Sequence, residues 1–514
     1  MAARPAALGR RGAEGALLSG ANALPRRTAG LVRHWKRWLY LTHRWIGIVT
    51  CLFFAIWFVS GLVMLYVPFP GLSRTEKLDR LAPIDWRQVR VQPEVADARL
   101  AALEMLGPRP VWRIEDADGA RRVIDAAGGR LLLQTGAAEA RAIATRFGGA
   151  PVAALTSLTR DQWTVAGGYD RDRPLWKADL AGPGGRVLYV SSRGGGVVLD
   201  TNARERFWNW LGSIPHWIYP TVIRQNNAVW RQVVMWVSGP CIVGAVTGMW
   251  IGVLRTRLGK RRFKGGRTTP YRGWMEWHHW AGLIGGLFLV AWIFSGWLSV
   301  DPFRLFASAG IGDAGRAAYA GGGAPAVDLP ALAARARDAK RVELYRAAGR
   351  RLVLIERSAT ASDVLDAATF RPVNLDRAAL IAAAPKLMPG AGIAGIDTLR
   401  APDAYWYGVK EPALLPVLRV RYDDPAGTWV HIDPRTGRIV GDMDRRRRVY
   451  RWAFDLLHRW DLNVLIANGP ARDVVLWLMS ILGLITSITG IRIAWVRLRP
   501  SRPLPVRRER PGDQ

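Results

Sequence analysis

Seven histidines occur in the chain, and four of them fall where the spacing of residues repeats. His43 opens His-Arg-Trp-Ile-Gly at the start of an apolar run over 45–67. His278 opens His-His-Trp-Ala-Gly at the start of a second run over 280–300. A Ser-Gly pair follows each, Ser60-Gly61 and Ser295-Gly296, 17 residues past its histidine. Laying Pro174 on Pro416, an offset of 242, places Val190 on Ile432, Arg206 on Arg448, Trp210 on Trp452 and His216 on His458 without a gap. Neutral imidazole binds a transition metal through one ring nitrogen while a neighbour holds the other. Paired histidines on facing membrane helices, with Gly47, Gly61, Gly282, Gly285, Gly286 and Gly296 alongside, suit bis-histidine haem b. Iron with both axial positions filled by protein carries electrons rather than binding substrate. Close helix packing is the other use of such glycines. Zinc fits less well, because two histidines leave half its usual ligands unsupplied.

Membrane helices are the elements that would hold these side chains. A helix needs ~20 apolar residues to cross the hydrocarbon core. Four stretches qualify: 45–67, 233–254, 280–300 and 474–491, the last extended by apolar residues through Val496. Arg26, Arg27, Arg33, Lys36, Arg37 and Arg44 precede the first. Lys and Arg crowd 255–272 with no acid until Glu276, and six Arg follow residue 496. Four spans put all three basic segments on one side, which the positive-inside bias makes cytoplasmic. His43 and His278 then lie at the inner face, and His216 and His458 at the outer, on either side of a ~30 Å core.

This topology accounts for the net charge of +32 in 514 residues, so the charge does not point to nucleic acid. Arg445 to Arg448 stand out as a basic run on the outer side, suited to a helix surface or to lipid headgroups. The 25 Trp fit membrane–water interfaces. Cys51 and Cys241 sit within apolar runs and read as small buried hydrophobes, not as a disulfide framework.

The chain divides into a disordered basic cytoplasmic leader (1–30), a lead helix and first span (31–67), and a first periplasmic domain (68–205). An outer interfacial segment and second span (206–254), a basic cytoplasmic loop (255–273) and a third span (274–300) follow. The remainder is a second periplasmic domain (301–447), an outer interfacial segment and fourth span (448–497), and a cytoplasmic tail (498–514). The unit of span, outer domain, histidine and span is thus used twice. The fold class is a mixed membrane protein, a four-helix bundle with internal duplication carrying two α+β domains. In the first domain the pattern predicts a helix over 93–106, a hairpin of 111–115 and 121–124 about Asp118-Gly119, and strands over 175–180 and 186–191. In the second it predicts a linker over 318–326, a helix over 329–339, and strands over 342–346, 351–357, 415–422 and 428–432. Each outer segment reads as one globular domain. His34 reads as interfacial, and His431, aligned with Tyr189, as a surface strand residue. His279 aligns with Arg44.

At these motifs the chain resembles the PepSY-associated transmembrane proteins: His43-Arg44-Trp45-Ile46-Gly47 with Ser60-Gly61, and His278-His279-Trp280-Ala281-Gly282 with Ser295-Gly296, over roughly 31–498. The resemblance implies PepSY-like outer domains. It also implies an inner-membrane reductase with two b-type haems that reduces a ferric siderophore, or another periplasmic ferric chelate, and releases the iron. His43, His278, His216 and His458 would then be the haem ligands. Arg44, His279 and Arg459 stand beside them, either as contacts to haem propionates or as interfacial and topology-setting residues. No glycine-rich nucleotide fingerprint is present, so the electron donor is expected to be separate, a cytoplasmic reductase or quinol. The alternatives are a non-redox membrane protein whose PepSY domains bind or regulate, and a transporter with doubled symmetry, which the lack of buried acids disfavours.

Overall fold

The computed structural model describes residues 26–409 and 411–499. Most of the expected leader and tail lie outside them, although residues 26–30 already belong to a helix. Among the described residues, four helices are long and apolar enough to cross a membrane. The first span helix is Arg26–Tyr66, the second Asn227–Leu254, the third Trp274–Leu298 and the fourth Gly469–Leu498. The lead segment and first span form one 41-residue helix, about 60 Å long at 1.5 Å per residue. Asn226 caps the second, its side chain accepting from the Ala228 and Val229 amides at 3.1 Å. The helices close a ring in sequence order, the fourth packing back on the first. Phe54, Phe58, Cys241, Ala245 and Ile293 fill its middle.

Among the described residues, fourteen antiparallel strands and several short helices make up the remainder. The first segment supplies β1 (Ala98–Leu106), β2 (Arg109–Asp116), β3 (Arg121–Asp125), β4 (Val152–Leu158), β5 (Leu175–Leu180), β6 (Val187–Ser191) and β7 (Val197–Thr201). The second supplies β8 (Arg341–Ala347), β9 (Arg350–Glu356), β10 (Ser362–Asp366), β11 (Ile393–Leu399), β12 (Val417–Tyr422), β13 (Trp429–Ile432) and β14 (Ile439–Met443). Two four-stranded sheets run β4-β5-β6-β7 and β11-β12-β13-β14. The third sheet has six strands in the order β10-β9-β8-β1-β2-β3.

That six-stranded sheet corrects two expectations. The stretch 93–106 is a strand from Ala98, not a helix. Its Ala, Leu, Glu and Met residues favour helix locally. It lies between β2 and β8, however, and every residue from Ala101 to Leu106 is buried, so sheet packing overrides that preference. The two outer segments are also not separate bodies. β1 pairs with β8 from Leu100↔Tyr345 to Glu104↔Arg341, and one core joins Leu103 and Trp112 to Val342, Leu344 and Val353. Glu104 marks the seam, bonded by Arg113 of its own segment at 2.5 Å and by Arg341 of the other at 3.1 Å. Burial pushes its carboxyl up, but the charges of Arg113, Lys77 and Arg341 prevail and hold it at about 2. The expected linker over 318–326 begins as the end of a helix, Asp313–Ala320.

A candidate paired-histidine site at each end of the bundle

The outer pair is built from turns that press on the first and third span helices. The helix Ala203–Leu211 is fixed by a capping box between Asn202 and Glu205 and leads through Gly212 into the turn Ser213–His216. Gly212 lets the backbone approach the first span helix, since a Cβ there would meet Val63 at 2.9 Å. His458 follows a π-helical turn, Arg451–Leu456, of a kind often found at functional sites. Arg451 anchors that turn through a buried ion pair with Asp461 at 2.9 Å, and Tyr407 donates to the same carboxylate at 2.6 Å. The His216 and His458 ring centres are 6.1 Å apart. Nδ1 of His216 lies 3.1 Å from Ser60 Oγ, and Nδ1 of His458 lies 3.0 Å from Ser295 Oγ. Each serine donates to the carbonyl three residues back, Trp57 or Trp292, so its oxygen accepts the imidazole N–H. Gly61 and Gly296 make room: a Cβ on either would stand 3.3 or 3.4 Å from the histidine Cε1.

The inner pair, His43 and His278, has ring centres 6.3 Å apart. His43 Nδ1 donates to the Gly244 carbonyl at 3.0 Å, and His278 Nδ1 to the Thr486 carbonyl at 3.0 Å, with Thr489 Oγ1 at 3.1 Å. A carbonyl only accepts, so both protons sit on Nδ1. Gly248 and Gly490 face these rings, their Cβ positions 2.6 and 3.4 Å from Cε1 of His43 and His278. All four histidines therefore have Nδ1 engaged, and among the described residues none makes a hydrogen bond through Nε2.

These residues fit two haems. In each pair the ring centres are close, 6.1 Å at the outer place and 6.3 Å at the inner, and each ring has one nitrogen left to bind a metal. Among the described residues no group of three or more His, Cys, Asp or Glu side chains converges. Each place thus offers two imidazoles, a donor set for a metal that brings its remaining ligands with it.

The other expected site residues each neighbour a paired histidine in the chain. Arg44 is exposed. His279 is buried against Tyr271, ring centres 5.4 Å apart, and its Nε2 lies 3.1 Å from Thr256 Oγ1. Arg459 is taken by Asp455 at 2.5 Å and Asp461 at 3.2 Å. His431 is on β13 as expected but is buried, not at the surface. The loop over 401–409 covers it, so that Trp406 stacks on its ring at 4.4 Å and Arg419 Nε donates to its Nε2 at 2.9 Å. Burial, followed by the Arg419 charge, lowers its pKa to about 4. Sequence reasoning missed the holders Ser60 and Ser295, although their fixed distance from His43 and His278 was visible. It also missed that the 242 offset carries Gly244 onto Thr486 and Gly248 onto Gly490, the residues that hold and face the inner rings.

Apolar span helices, paired imidazoles and β-sheet segments between the spans define a multi-pass membrane protein with PepSY-type organisation. Residues 40–379 match the model of the PepSY-associated TM region, and the chain belongs to that family. No curated protein sequence matches the chain.

Proposed function

We propose that the protein is an inner-membrane di-haem b electron carrier that reduces a periplasmic ferric siderophore or similar ferric chelate. The observation that carries this reading is the uniform state of the four histidines, in two close pairs with Nδ1 committed and Nε2 free. His43 and His278 would hold one haem and His216 and His458 the other. Bound haem supplies reversible one-electron exchange at iron. The chain's own residues fix the imidazoles: the Gly244 and Thr486 carbonyls, and Ser60 and Ser295, hold the Nδ1 protons and keep Nε2 basic. His43 and Ser60 are 17 residues apart on one helix, about 25 Å, so the two places would sit near opposite faces of the bilayer.

One electron from a separate cytoplasmic reductase or quinol would leave for each ferric ion reduced. Ferrous iron binds hard oxygen ligands less strongly, which releases it. The flanking charges favour both termini in the cytoplasm and both sheet segments in the periplasm. An internal duplication accounts for the two four-stranded sheets of like order and for the holding contacts that recur at offsets of 242 and 235 residues. A visible spectrum of the protein purified in detergent tests the reading: two haems per chain, shifting on dithionite reduction, are expected. A colourless protein from haem-replete cells would leave the non-redox PepSY module as the function.

A further inference from the structure

A cleft of about 560 Å³ opens on the sheet segments beside the β1–β8 seam, within the ~300–1,000 Å³ range of small-ligand sites. Its lining is strongly basic and comes from both outer segments, Lys77, Arg113, Arg121, Arg122, Arg171 and Arg193 from the first and Arg341 from the second, against two carboxylates, Glu115 and Asp172. Arg113 and Arg341 are bonded to Glu104, the buried carboxylate beneath. Among the described residues no carboxylate lies within ion-pairing distance of Lys77, Arg121, Arg171 or Arg193. Glu104 and Asp172 offset part of the charge at Lys77, but seven lining cations against two lining carboxylates leave the cleft with a large positive excess. Lys77 reports the strain. The Glu104 charge raises its pKa, but burial and the charges of Arg113 and Arg341 outweigh it and leave the ammonium less basic than usual. Arginine forks match carboxylate and phosphate oxygens in pairs of hydrogen bonds, and a low-dielectric cleft strengthens each.

From this placement we infer that the seam cleft binds a small polyanion bearing several carboxylate or phosphate groups. None of the four histidines lines it, so the site is separate from the paired-histidine places and does not depend on what they hold. Its seven cations come from both outer segments, so an occupant would also tie those segments together. Bound anion would then stabilise the sheet region in proportion to its concentration.

Isothermal titration of the full chain in detergent with citrate, and separately with inorganic pyrophosphate, tests the inference. Saturable one-site binding of at least one anion is expected, weakening with added salt. The double variant Arg121→Gln and Arg171→Gln removes two exposed, unpaired cations. It should weaken that binding at least fivefold and leave the thermal midpoint without anion unchanged. Binding of neither anion by the unaltered chain, or a change of less than fivefold in the double variant, overturns the inference. If the double variant does not fold, Lys77→Gln is judged by the same fivefold limit. Haem content is read on the same samples, so a protein lacking haem that still binds anion separates this inference from the electron-transfer reading.

Discussion

The two halves of the chain treat their histidines alike and their sheets differently. His43 is held by the Gly244 carbonyl and faces Gly248. His278 is held by the Thr486 carbonyl and faces Gly490, each partner 242 residues on. His216 is held by Ser60 and faces Gly61, and His458 by Ser295 and faces Gly296, each partner 235 residues on. In the two four-stranded sheets, Asp161 and Asp403 occupy matching turns. Asp161 accepts from the Trp163 and Thr164 amides and takes the Tyr189 hydroxyl at 2.6 Å. Asp403 accepts from the Tyr405 and Trp406 amides but pairs with Arg419, which bonds His431. The turn is shared while the buried partner has changed from a phenol to an imidazole and guanidinium. Contacts that recur across both halves mark what the bundle must hold, and contacts that diverge mark where each half needs only a filled core.

The largest effects should come from the histidines. His43→Ala or His278→Ala should remove one haem per chain and His216→Ala or His458→Ala the other, measured by pyridine haemochrome. Any single variant that keeps both haems breaks the pairing. Next come the glycines that face the inner rings, where the halves differ in space. A methyl at Gly248 would stand 2.6 Å from His43 Cε1, whereas one at Gly490 would stand 3.4 Å from His278 Cε1 and 3.3 Å from Cys51 Cβ, a far milder crowding. Gly248→Ala should therefore lose half or more of the inner haem while Gly490→Ala keeps it, and equal losses would erase the distinction.

The divergent sheets supply the third. His431 has a folded pKa of about 4, below the ordinary 6.5, so its stabilising effect is complete above pH 6.5 and is lost as pH falls toward 4. At 1.36 kcal/mol per unit this amounts to about 3 kcal/mol by pH 4. Urea unfolding followed by tryptophan fluorescence should show that loss, and His431→Gln should flatten it. An unaltered acid limb in the variant would remove His431 as the source. The smallest effects concern the serines. Ser60→Ala and Ser295→Ala each remove an acceptor for Nδ1–H, which should weaken retention of the outer haem about 10–100-fold and raise its potential. The inner haem should be unaffected in both, and Ser→Thr should restore the outer one. Unequal losses from the two serines would show that the halves share less than their contacts imply.

Much of this was legible in the sequence, because membrane helices announce themselves by length and the repeat preserves spacing. The four spans and the hairpin about Asp118 are where the pattern puts them. The strand Ala98–Leu106 was not legible, since its preference for strand exists only once β2 and β8 flank it. The burial of His431 was hidden for a related reason. Alternation places it on a face of β13, but only the loop carrying Trp406 decides whether that face meets water. The roles of Ser60 and Ser295 lay in plain view as a spacing. They needed the partner histidines, 156 and 163 residues away, to acquire meaning.

The six-stranded sheet has one further consequence. Helices in lipid gain little from apolar contact with one another, so a ring of four is poorly fastened by its own packing. The β1–β8 ladder lies in water, where burying apolar surface does drive association, and it joins the half that carries the first two helices to the half that carries the last two. The sheet thus acts as a buckle outside the bilayer. It would hold the halves in register, and it would keep them matched even in a chain cut within the loop over 255–273.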